Sequence, residues 1–167
     1  MDQPAQPAIA QKKVSPKDVF MHLLTIITLY VSAVSFGALL FQAINILIPD
    51  VLEYSVYARE SALQGIRWAI ASLVIVFPVY IGTTWMLNKS YVAEPEKRNL
   101  RIRKWLTYFT LFAAATIIIG DLVTLIYNLL GGDLTLRFIL KVVVVLFIAG
   151  SVFYYYLWDL RRHNIEE

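Results

Sequence analysis

The chain has no cysteine, which excludes disulfides, thiol catalysis and zinc–thiolate sites. Its only histidines are His22, near the start of the first apolar run, and His163 in the C-terminal tail. No histidine–carboxylate metal spacing appears, no nucleophile sits beside a base, and a surface position is the ordinary reading of both imidazoles. Glycine is scarce, and none belongs to a phosphate-binding loop; Gly131-Gly132 reads as a hairpin turn. No internal repeat is visible, and few helices look broken, so a complete secondary transporter is a poor fit. These absences leave no candidate catalytic, cofactor-binding or metal-binding residue. The chain is therefore expected not to be an enzyme and to need no cofactor. The net charge of +3 and a pI near 9.1 do not argue for a nucleic-acid partner, because the basic residues flank apolar runs.

What the sequence has in abundance is apolar surface. Hydrophobic residues make up 59% of the 167, with a mean hydropathy of +0.63, above the roughly 45–50% of soluble domains. They fall into four runs. The fold class expected is all-α: an integral membrane four-helix bundle with short loops, occupying residues 15–162 as one domain. Helices are placed at about 16–48, 66–87, 103–130 and 134–160. Residues 1–14 (MDQPAQPAIAQKKV) read as a disordered tail and 163–167 as a short C-terminal tail.

Ser15-Pro16-Lys17-Asp18 is a helix start, with Ser15 as cap and Pro16 at the first helical position. The first run is too long for the ~7–15-residue apolar core of a cleaved signal. Along it Thr25, Thr28, Ser32, Ser35, Ala38, Gln42 and Asn45 recur at helical spacing, giving one small and polar face suited to close helix packing. Residues 50–65 mix charge and aromatics and read as an amphipathic segment on the membrane surface. Trp68 and Trp85 bracket the second run, roughly 26 Å apart, and Pro78 lies inside it. Tyr154-Tyr155-Tyr156 and Trp158 close the fourth run as an aromatic belt.

Charge sets the topology. Lys12, Lys13 and Lys17, the six basic residues between Lys89 and Lys104, and Arg161 and Arg162 lie on one side. Arg59, Arg67, Arg137 and Lys141 lie on the other or within the membrane. The positive-inside rule then puts both termini and the 88–104 loop in the cytoplasm. The basic cluster at 97–104 also suits anionic lipid head groups.

Two ionisable residues interrupt the apolar runs. Asp121 sits in the third and Lys141 in the fourth, each roughly 14 Å from the Gly131-Gly132 turn. Antiparallel helices bring them to one depth, so a buried ion pair is expected. Arg67 and Arg137 are the other basic partners within reach of Asp121. With Gln42, Asn45, Tyr127 and Asn128 these residues make a polar cluster in the outward half of the bundle. Such a cluster either fixes helix register or serves as an ion, proton or small-solute site. A voltage sensor is disfavoured, because Val142–Ala149 carries no charge.

The segments SPKDVFMHLLTIITLYVSAVSFGALLFQAIN, FPVYIGTTWMLNK, KRNLRIRKWLTYFTLFAAATIIIGDLVTLIYNLLGGDLTLRFILKVVVV and YYYLWDLRR resemble a family of small bacterial four-helix membrane proteins known as a domain of unknown function. The resemblance implies the four-span topology and a multi-pass place in the cell inner membrane. It supplies no catalytic residue. The function expected is that of a structural or accessory membrane subunit, self-associating through the polar face of the first helix. The alternative is a minimal channel or transporter subunit using the Asp121 cluster. The partners expected are the lipid bilayer and a second copy or another membrane protein.

Overall fold

The computed structural model describes residues 15–49, 56–132 and 134–164, without the side chains of Arg98, His163 and Asn164. The tail expected at 1–14, and residues 50–55 of the expected surface segment, lie outside the described residues. Among the described residues the elements are α1 (Pro16–Leu47), α2 (Val56–Ala93), a short 3-10 helix (Pro95–Asn99), α3 (Arg101–Gly131) and α4 (Leu136–Asn164), with no strand.

Pro16 opens α1 as its spacing suggests, but the Ser15 side chain makes no capping bond. Instead the Ser15 carbonyl accepts the amides of Asp18 and Val19, and the exposed hydroxyl has solvent beside it. The second helix extends past 66–87 at both ends. Residues 56–65 form its first turns, because Ala58, Arg59, Glu60, Ala62, Leu63 and Gln64 are good helix formers and a nucleated helix propagates cheaply. Pro78 lies inside α2 without ending it. Gly132 ends α3 in the left-handed region at φ 75°, where its amide reaches the carbonyls of Asn128 and Leu129. A side chain there would meet the steric cost that glycine avoids.

All four α-helices are long and apolar enough to cross a membrane, and the chain is a multi-pass membrane protein. Large apolar side chains point outward, among them Val34, Val74, Phe112 and Phe147, as lipid-facing surfaces require. Trp68, Trp85 and Trp158 are exposed too, with Lys89 over the Trp85 ring at 5.5 Å and Arg162 over Trp158 at 5.0 Å.

The helices run up and down. α1 packs most fully on α2, and α3 on α4; α1 also meets α4 and, slightly, α3, whereas the backbones of α2 and α3 do not pack. The end that holds the start of α1 and the finish of α4 is the terminal end here, and the other is the hairpin end. The polar face of α1 is turned inward: Thr25, Thr28, Ser32 and Ser35 are buried, and Ala38, Gln42 and Asn45 half-buried. It therefore works within the bundle, and is not free for self-association. Its hydroxyls do little cross-bonding. Thr25 and Thr28 return theirs to the Met21 and Leu24 carbonyls, and the buried Oγ of Ser32 and of Ser35 have no partner. Small size is what this face contributes.

Candidate functional site

The densest polar assembly lies at the terminal end and joins all four helices. Asp18 and His22 come from α1, Tyr91 from α2, Arg103 from α3 and Asp159 from α4. His22 is buried, and corrects the expectation of a surface histidine. Its Nδ1 lies 2.6 Å from the Asp18 carbonyl and its Nε2 2.6 Å from the Tyr91 hydroxyl. A carbonyl can only accept, so Nδ1 carries a proton, and in the neutral ring Nε2 accepts the Tyr91 O–H.

Arg103 closes the other side. Its Nη2 donates to Asp159 Oδ2 at 2.7 Å, and its guanidinium lies 5.1 Å from the centre of the Tyr91 ring. That pairing is short and charge-assisted, and the ring contact adds a cation–π attraction. Lys97 then bridges Asp18 at 3.5 Å and Glu94 at 3.4 Å, tying the connection between α2 and α3 to the start of α1. Arg103 and Lys97 are thus more than topology markers. They hold helix ends together.

The clamp residues His22, Tyr91, Arg103 and Asp159 line a cavity of about 90 Å³, together with Tyr80, Asn88 and others. Its wall is part polar and part apolar, and it is roomy enough for a few waters. Beside it the apolar trio Ile26, Leu106 and Tyr156 packs, and the Tyr30 hydroxyl meets Thr110 Oγ1 at 2.9 Å. Those contacts pin α1 to α3 at this end.

The residues expected to cluster at the hairpin end are divided. Gln42 accepts from Asn45 Nδ2 at 3.0 Å, and Arg137 Nε donates to Asn45 Oδ1 at 2.9 Å. Gln42 also rests on Gly65, where an added Cβ would stand 3.1 Å from it, so α1 and α2 approach closely there. Lys141 carries its ammonium 5.7 Å from the centre of the Phe41 ring. Gln42, Asn45, Arg137 and Lys141 therefore form one α1–α4 group.

Asp121, Asn128 and Arg67 stay outside it. The depth match holds: counting equally from the Arg103–Asp159 pair along α3 and back along α4 reaches Asp121 and Lys141. Rotation separates them. Arg137 and Lys141 share a face of α4 that looks at α1, so no ion pair joins Asp121 to Lys141 among the described residues. Asp121 Oδ2 is buried without a hydrogen-bond partner. Asn128 returns its amide to the Thr124 carbonyl at 2.8 Å, and Arg67 is exposed on α2.

A family model described as a domain of unknown function (DUF5671) matches residues 18–156. The matched span holds every clamp residue except Asp159. No curated protein and no solved structure matches the chain.

Proposed function

The chain belongs to the DUF5671 family, a domain of unknown function, and on that premise we propose that it is a non-enzymatic structural or accessory subunit of the cell inner membrane. Both termini and the 3-10 connection face the cytoplasm in this reading, which rests on the asymmetry of basic residues. The observation that carries the proposal is that the charged and polar groups of the clamp are engaged with one another across all four helices. Both ring nitrogens of His22 are bonded, Arg103 is held between a carboxylate and a ring, and Lys97 is held between two carboxylates. Catalysis and transport need groups left poised for a substrate. A network whose members pair with one another across helix ends fixes geometry.

Arg101, Lys104 and their basic neighbours at 97–104 give the same surface an attraction for anionic head groups. A second reading, a minimal channel or transporter subunit, has one observation behind it, the lone carboxylate oxygen of Asp121. The test is flux. Purified protein in sealed liposomes should pass protons, potassium and chloride no faster than empty liposomes under an imposed gradient. Passage above that background that disappears in Asp121→Asn would replace the subunit reading with the transport one.

A further inference from the structure

Among the described residues Asp121 and Arg67 carry charge within the apolar spans outside the α1–α4 group, and they stand at one level. Lys141 lies over Phe41, and Gln42 lies on Gly65, so Asp121, Lys141, Phe41 and Arg67 fall within about one helical turn of each other along the bundle. Within one chain Asp121 and Arg67 do not pair: Asp121 Oδ2 has no hydrogen-bond partner, and Arg67 is exposed on α2. Asp121 follows Ala114 by two turns and so continues the inward stripe of Thr107, Thr110 and Ala114. That stripe is buried at the terminal end, but at the level of Asp121 its neighbours Ile117, Gly120 and Thr124 are exposed. Arg67 projects from α2 on the side away from Ala69, which α2 buries.

We propose that this face of α3 receives the α2 helix of a second copy of the chain, with Arg67 of each copy paired to Asp121 of the other. Two copies inserted in the same direction keep their levels, so residues at equal depth within one chain are at equal depth across the pair. Each copy offers one acid and one base, which is the self-complementary pattern of a two-fold interface. Isolated charges in hydrocarbon cost free energy that pairing returns, so the match also selects the partner. The surface allows close approach. Gly120 has open space where a Cβ would stand, and Thr116 and Thr124 turn their hydroxyls back to the Phe112 and Gly120 carbonyls. The inference deepens the subunit reading by naming its first partner, and it can fail alone: a monomer that passes no ions would remove the dimer and leave that reading intact.

The experiment is a dimerisation measurement on the full chain in lipid bilayers, by single-molecule photobleaching over a range of protein-to-lipid ratios. Wild type should dimerise. Arg67→Gln and Asp121→Asn should each weaken the dimer roughly tenfold or more. The exchange of charge, Arg67→Asp with Asp121→Arg, should recover most of that loss. The absence of native cysteine permits an independent check, in which Arg67→Cys and Asp121→Cys chains are mixed and should form a disulfide-linked heterodimer under mild oxidation. A monomeric wild type overturns the proposal. So does an Asp121→Asn effect with no Arg67→Gln effect, or a charge exchange that restores nothing.

Discussion

Neutralising Asp159 should loosen the whole terminal end. Asp159→Asn keeps the shape of the side chain but takes the counter-charge from Arg103, whose Nη2 now meets Oδ2 at 2.7 Å. The two side chains are 17% and 25% exposed, between the surface and buried limits. Exposed pairs contribute about 0–1 kcal/mol, and breaking a buried pair costs about 3–5 kcal/mol. A loss of about 2–3 kcal/mol follows for this half-covered pair. Arg103 would keep its ring contact with Tyr91, so the loss should stay below the fully buried limit. The assay is reversible unfolding in bicelles, followed by trapping of the separated helices. Arg103→Leu and Asp159→Leu should each destabilise, and the double variant should recover at least half of the larger single loss. A single-variant loss below about 0.5 kcal/mol, the level of an ordinary surface change, would refute the clamp as a stabilising device.

Two further outcomes can be checked with modest effort. Ser35 is 1% exposed and its buried hydroxyl has no partner, so Ser35→Ala should be neutral or slightly stabilising, whereas Ser35→Leu should cost about 1–3 kcal/mol by overpacking α1 against its neighbours; the same unfolding assay reads both, with the exposed Val34→Leu as the control. For topology, an impermeant thiol reagent applied to intact cells should label Ser61→Cys and leave Asn99→Cys unlabelled until the membrane is opened, and the reverse pattern would invert the orientation.

Much of the architecture is legible in the residues, for identifiable reasons. Four apolar runs long enough to cross a bilayer can hardly be anything but helices, since backbone groups in lipid must be satisfied locally. The inward face of α1 can be read because Thr25, Thr28, Ser32 and Ser35 repeat at helical spacing. The equal depth of Asp121 and Lys141 can be read by counting, because rise per residue is nearly constant. Their separation cannot, since each residue turns the helix by about 100° and only packing decides which side of α4 looks at α1. The clamp is invisible for a different reason. Asp18, His22, Tyr91, Arg103 and Asp159 lie far apart in sequence, and each alone looks like an ordinary interfacial residue. The one hint was local: Asp18 and His22 are a turn apart, and His22 leads into the buried Thr25 face.

The clamp also orders events in time. Its α1 members leave the ribosome before Tyr91, and Asp159 comes only with the fourth helix, so the nascent chain carries His22 without its Tyr91 partner and later Arg103 without its carboxylate. The α1–α2 and α3–α4 hairpins rest on contacts near in sequence and can form as soon as each pair is inserted. The closing bonds span nearly the whole described chain and must wait for the fourth crossing. A chain stopped before Asp159 would hold two hairpins side by side with Arg103 lacking its carboxylate partner. Closure of this end is thus a record that all four helices have been made and inserted.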